Sequence, residues 1–285
     1  MTAYVELMRP RQWPKNLAVL AALIFSGRFM DPRSLGLAAL GLASFILLSS
    51  GVYAFNDAHD MESDRRHPAK HSRPVASGRV SVASARFFAL LLAALGMSLA
   101  LLIDPGFASC AGAYLVISAF YTLWLKHEVI LDVFGLAAGF VLRAAAGGFA
   151  ISVVISPWLL VCTTLLALFL GLSKRRAELE LLKGGAHEHR RALKEYSKEL
   201  LDQMISIVSS ATVVAYLIYS FSAHSQWMML TVPFVLYGIF RYLYLSHQKG
   251  MAGKPELILL QDRPMQACVV LWVLCSAVIL RTFEK

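Results

Sequence analysis

The chain has 285 residues, 58% of them AVILMFWYC and only 16% charged, a balance too apolar for an ordinary soluble protein. Its formal net charge of +9 does not indicate nucleic acid, because no basic helix interleaved with stacking aromatics is present and the cations fall between hydrophobic stretches. The four cysteines, Cys110, Cys162, Cys268 and Cys275, all lie in apolar runs without a CxxC, which argues against a zinc site or a disulfide framework.

In chain order, runs long and apolar enough to cross a bilayer are expected at about Asn16–Phe29, Leu35–Phe55, Val82–Ile103, Phe107–Leu125, Ile130–Ala150, Pro157–Leu172, Leu201–Ser222, Trp227–Leu245 and Met265–Leu280. The first is the weakest, since Ser26, Gly27 and Arg28 interrupt it. The polar N-terminus through Lys15 lacks a signal-peptide cleavage pattern, so this run is expected to be retained. Pro and Gly mark the joints at Asp31-Pro32, Asp104-Pro105-Gly106 and Ser156-Pro157. The expected architecture is an all-α integral membrane domain spanning residues 1–285, with about nine transmembrane helices around a cytoplasm-facing cavity. With the N-terminus inside, only Arg28, Arg33, Arg281 and Lys285 of the 27 Lys and Arg fall on the outer side. Arg86, Arg143 and Arg241 fall within spans, and the outer links are short, so chemistry is expected at the inner face.

The two longest inner loops, residues 56–80 and 173–200, lie four spans apart, a spacing suggestive of a duplicated half although no residue-level repeat is evident. The first holds Asn56, Asp57, Asp60 and Asp64, followed by Lys70 and Arg73. If the helix of span two runs on to Asp64, then Tyr53, Asn56, Asp60 and Asp64 share one face, with Asp57 one position round. Hard oxygen donors gathered in this way, followed by cations, suit a Mg ion that bridges protein to phosphate. The bland alternative is a solvated helix end in which Asp60 and Asp64 pair with Arg65 or Lys70. In span five, Asp132 and Arg143 lie on one stripe about 16 Å apart, with Gly135 and Gly139 between them in a spacing that more often means close helix packing than ligand contact. Arg143 suits either a phosphate or an interhelical bridge to a buried carbonyl or carboxylate. Lys126 caps span four behind a polar stripe of Tyr114, Ser118 and Tyr121, and Lys15 and Asn16 open span one; snorkelling to headgroups is the default for such lysines. The second inner loop offers cations first, Lys174, Arg175 and Arg176, then Glu178 and Tyr196, with a break at Gly184-Gly185. His187 and His189 read as solvated. No P-loop, serine elbow or HExxH is present, so no protein nucleophile is visible.

The run Asn56-Asp57-x-x-Asp60-x-x-x-Asp64 at the inner end of span two resembles the first aspartate-rich motif of the UbiA-type prenyltransferase superfamily. Within it the likeness is greatest to the decaprenyl-phosphate phosphoribosyltransferases. It is carried by Arg9-Pro10-Arg11-Gln12-Trp13-Pro14-Lys15-Asn16, His67-Pro68-x-Lys70-x-x-Arg73-Pro74, Leu125-Lys126-His127, Leu131-Asp132-Val133, Gly139-Phe140-Val141-Leu142-Arg143-Ala144 and Lys174-Arg175-Arg176-x-Glu178-Leu179. Where aromatic prenyltransferases carry a second aspartate-rich motif, this chain reads Ser173-Lys174-Arg175-Arg176-Ala177-Glu178. The resemblance implies Mg-dependent transfer of 5-phosphoribose from phosphoribosyl pyrophosphate to a polyprenyl phosphate at the inner membrane face, toward cell-wall arabinan precursors. By the same resemblance, Asn56 and Asp60 with Asp57 or Asp64 would hold the metal. Lys15, Tyr53, Lys70, Lys126 and Arg143 would meet phosphates, and Arg73, Lys174, Arg175, Glu178 and Tyr196 would support them. The nearest rival is a prenyltransferase that uses a prenyl diphosphate and a small acceptor. A transporter would use Asp132 and Arg143 as its path, but the outer links offer no matching mouth. Oligomeric state is left open.

Overall fold

The computed structural model describes residues 3–67, 70–181, 191–222, 226–249 and 255–283, which form helices joined by turns, without strands. The Gly184-Gly185 break, His187 and His189 lie outside them. The helices are α1 (Ala3–Leu7), α2 (Ala21–Phe25), α3 (Pro32–His59), α4 (Met61–Arg66), α5 (Val82–Ile103), α6 (Pro105–Leu123), α7 (Leu131–Ala150), α8 (Pro157–Leu181), α9 (Lys198–Ser222), α10 (Val232–Gln248), α11 (Pro255–Gln261) and α12 (Arg263–Phe283). Among the described residues, eight helical segments are long and apolar enough to span a bilayer: α3, α5, α6, α7, α8, α9, α10 with its preceding turn, and α12. Their starts follow the predicted joints. Asp31 accepts from the Arg33 and Ser34 amides at 3.3 and 3.0 Å, and Asp104 accepts from those of Gly106 and Phe107 at 2.7 and 3.0 Å. Each caps a helix whose first residue is proline, where the missing N–H costs nothing.

The expected first span is not one continuous α-helix. Pro10–Leu20 is a 3-10 helix that contains Pro14, and only Ala21–Phe25 turns α-helical. Proline removes a donor and crowds the preceding turn, and polar ties draw the segment into the bundle instead of letting it wind freely. Trp13 donates to Ser50 Oγ at 3.3 Å, Asn16 donates to Ser49 Oγ at 3.1 Å, and Ser50 Oγ in turn donates to the Met8 carbonyl at 3.2 Å. The tight approach has a visible requirement on α7, since a Cβ added at Gly147 would overlap the Val19 carbonyl.

Two apolar cores meet on α7. One gathers Val19, Leu23, Phe45, Leu48, Phe107 and Ala146, and the other gathers Val133, Phe169, Leu172, Leu201, Tyr242 and Met265. Phe25 links the first segment to the far side of the bundle through Tyr219 and Trp272, with ring centroids 5.9 and 5.7 Å away. Outward positions such as Phe87, Leu90 and Leu102 are exposed apolar side chains, as a lipid-facing surface requires. Deep in the first core sits Arg143. Its Nε donates to Asn16 Oδ1 at 2.8 Å, one Nη to the Gly139 carbonyl at 2.8 Å, and the other to the Tyr114 hydroxyl at 3.1 Å. Its guanidinium also lies 4.5 Å from the Tyr114 ring centroid. The glycine spacing on α7 serves packing, because a Cβ added at Gly135 would press on Tyr121 of α6 and one at Gly139 would press on the Arg143 guanidinium.

Replacing Gly147 by Ala is expected to cost about 1–3 kcal/mol through overpacking against backbone that cannot step aside. The readout is a lower melting temperature in detergent. Gly36→Ala, with open space around its Cβ, is the neutral control.

Candidate active site

One end of the bundle collects the charges. The helix α3 carries Tyr53, Asn56 and Asp57 but stops at His59, and Asp60 turns the chain into α4, which presents Asp64. The continuous face expected from Tyr53 to Asp64 is therefore broken at Asp60, and the acids divide. Asp57, 2% exposed, is paired with Arg9 and with Arg73 at 3.1 Å. The same Arg73 nitrogen reaches Asp64 at 2.6 Å, with Lys70 Nζ 3.9 Å from the other Asp64 oxygen. Asp60 instead faces Lys126 at 2.5 Å, and Asn56 Oδ1 accepts from the Thr122 hydroxyl. Arg9, in a left-handed backbone conformation at φ 53°, stands over the Tyr53 ring at 5.1 Å. Of the bland alternatives for the acids, Lys70 near Asp64 is present, while Arg65 turns away to the Ala76 carbonyl at 3.0 Å.

A second cluster is buried where α6, α7 and α8 meet. Ser173–Leu181, expected as loop, forms the last turns of α8, helped by i,i+3 and i,i+4 pairs from Arg175 to Glu178 and from Arg176 to Glu180. Asp132 and Arg175 are 0% and 1% exposed. Arg175 Nε donates to Asp132 Oδ2 at 2.5 Å, and its two terminal nitrogens donate to Glu178 at 2.6 Å and to the Tyr121 hydroxyl at 3.1 Å. Tyr196 donates to Asp132 Oδ1 at 2.9 Å. Burial, then the Asp132 carboxylate beside it, pushes the Tyr196 phenol far above its ordinary pKa, so it stays a proton donor. Lys174 Nζ lies 3.9 Å from Glu178, with its side chain about a third exposed.

The two clusters share the end of α6: Tyr121 bonds the second, the adjacent Thr122 bonds the first, and Lys126 follows in the link to α7. Of the residues expected at the site, Asp57, Asp64, Lys70 and Arg73 are joined by ion pairs, with Tyr53 under Arg9, while Asp60 with Lys126 and Asn56 with Thr122 form separate pairs at the same end of the bundle. Arg175, Glu178 and Tyr196 come together in the second cluster, with Lys174 at its edge. Arg143 joins neither, because its guanidinium is spent on Asn16, Gly139 and Tyr114 as an interhelical bridge. Lys15 lies midway along the 3-10 segment that packs on α3 and α7. Sequence reasoning did not pick out Arg9, Thr122 and Tyr121 as site residues. Arg9 is 48 residues from Asp57 in the chain, and no local spacing announces such a pairing.

Residues 17–257 match the UbiA prenyltransferase family. The decaprenyl-phosphate phosphoribosyltransferase of Mycolicibacterium smegmatis is 32% identical over 290 residues, covering 96% of this chain and 91% of that protein. That of Corynebacterium glutamicum is 33% identical over 282 residues, covering 95% and 84%. Among solved structures, a UbiA homolog from Archaeoglobus fulgidus bound to GPP and Mg2+ is similar at a TM-score of 0.78 with 21% identity, over 98% of this chain and 100% of that one. Full-length similarity in sequence and in fold agree, and the chain belongs to the UbiA prenyltransferase family.

Proposed function

We propose that the protein is a multi-pass inner-membrane transferase that moves 5-phosphoribose from phosphoribosyl pyrophosphate to a polyprenyl phosphate at the cytoplasmic face. A lipid phosphate oxygen bonds to ribose C1 as the bond from C1 to pyrophosphate breaks, and pyrophosphate departs with the electron pair. The observation that carries this reading over a prenyl diphosphate donor is the second cluster, where Asp132 and Glu178 are both already bonded to Arg175. That end of the site offers a guanidinium in place of a second acidic clamp, which suits a reaction that brings together a sugar phosphate, a diphosphate and a lipid phosphate. The near full-length similarity to two proteins named decaprenyl-phosphate phosphoribosyltransferase supports the same choice.

Asn56, Asp57, Asp60 and Asp64 are the donors that fit a Mg ion, being hard oxygens carried by the end of α3, the turn at Asp60 and α4. Among the described residues no three or more His, Cys, Asp or Glu close on a single point, so phosphate oxygens and water would complete the ion's shell. Bound there, Mg supplies charge stabilisation for the departing pyrophosphate. The side chains now opposite these acids, Arg9, Arg73, Lys70 and Lys126, are long cations within reach of phosphate oxygens placed beside the same carboxylates. Lys174 and Lys15 are assigned to the remaining phosphate. A polyprenyl phosphate is anionic near neutral pH and attacks without a general base, in keeping with a site built from acids already paired to cations. The tail would lie along the apolar outer faces of the helices, with its phosphate held at the interface.

In detergent, labelled phosphoribosyl pyrophosphate, a polyprenyl phosphate and Mg are expected to yield labelled lipid, lost with EDTA and reduced at least about 100-fold by Asp60→Ala. A folded preparation that labels lipid only from a prenyl diphosphate would overturn the donor assignment. Lys126→Ala is expected to raise the donor KM about tenfold or more, since it removes a charge-assisted phosphate contact. Arg143→Lys should lower the melting temperature and leave that KM within about twofold, because the residue bridges helices.

A further inference from the structure

Between the Lys126 turn and α7, the backbone at Ile130 adopts φ 70°, ψ −48°. A β-branched residue reaches this region only when its surroundings hold it there. Ile130 is the centre of a tight turn closed by the Leu131 N–H on the Val129 carbonyl at 2.8 Å, and the Tyr196 hydroxyl anchors that turn, accepting from the Ile130 N–H at 2.7 Å while donating to Asp132 Oδ1 at 2.9 Å. Tyr196 is 4% exposed, so neither bond competes with bulk water. Each of the two bonds leads to a different part of the site. Ile130 ends the link that carries Lys126 to Asp60, and Asp132 sets the plane of Arg175 through its other oxygen.

We infer that Tyr196 is a positioning residue: its single hydroxyl fixes the Lys126 link through Ile130 and the Arg175 guanidinium through Asp132, holding the two cationic halves of the site at one spacing. It is not itself a substrate contact. The role rests on the transferase reading only in so far as both halves meet phosphate. Removing the hydroxyl leaves a buried N–H and a buried carboxylate oxygen each short of one partner, and the strained turn at Ile130 loses its tie to the second cluster.

The test uses the full chain in detergent and the variants Tyr196→Phe, Ile130→Gly and the pair combined. Tyr196→Phe keeps the ring in its apolar core and deletes only the hydroxyl. Binding of inorganic pyrophosphate with Mg by calorimetry is expected to weaken about tenfold, and donor KM to rise by a similar factor with kcat within about twofold. Glycine adopts a positive φ without strain, so adding Ile130→Gly should recover at least a third of that loss on a logarithmic scale. A lower melting temperature with unchanged pyrophosphate affinity and KM would show a merely structural tyrosine and overturn the inference. Failure of Ile130→Gly to recover any affinity would overturn it too. Pyrophosphate is common to either donor, so a wild-type chain that binds it but does not use phosphoribosyl pyrophosphate would sink the proposed function and leave this inference standing.

Discussion

Three carboxylates, Asp57, Asp64 and Asp132, are buried almost completely at the charged end of the bundle, and each depends on an arginine delivered from another segment of the chain. An ionised acid so placed costs several kcal/mol of lost hydration unless a cation and further hydrogen bonds compensate it, and removing one partner leaves the other stranded at about 3–5 kcal/mol. The architecture of this end follows from that constraint. Arg9 must come in from the N-terminal segment, Arg73 from the link after α4, and Arg175 from the extended end of α8. The links between helices are therefore pinned over the bundle end, and the residues they carry face one another.

The same requirement explains why the first apolar segment is not a straight membrane helix. Arg143 sits inside the bundle and needs acceptors, and Asn16 supplies one because the segment runs as a 3-10 helix against α7 and α3. A regular helix begun before Pro14 would lack a backbone hydrogen bond at that proline and would meet its ring. Gly147 removes the last obstacle by letting the Val19 backbone come against α7. Sequence, packing and polar satisfaction agree at this point, although the result departs from a simple count of hydrophobic runs.

Membership in the UbiA family accounts for the helical bundle. The donor proposed above rests instead on the second cluster, where a guanidinium sits between two carboxylates. Asp132 and Glu178 are there neutralised from within the protein, by Arg175. A cation fixed by covalent structure differs from one exchanged with solvent, because its position is set by packing and by the Tyr121 and Tyr196 hydroxyls.

Much was determined by the chain alone. Hydrophobic run length and the caps at Asp31-Pro32 and Asp104-Pro105 are local properties, and eight spans follow from them directly. The acidic run at Asn56–Asp64 and the cations after it were legible for the same reason, since residues close in sequence at a helix end remain close in space. Tertiary structure alone decided the partners. The pairings of Arg9 with Asp57, Thr122 with Asn56, and Tyr196 with both Ile130 and Asp132 join residues 48 to 66 positions apart. Arg143 shows the same limit from the other side: its depth in α7 was plain from sequence, which favoured a phosphate over an interhelical bridge for it. The choice depended on Asn16 and Tyr114, brought to it by the folding of other segments. Periodicity records which face a residue occupies, whereas the groups that meet that face are set by how the helices pack.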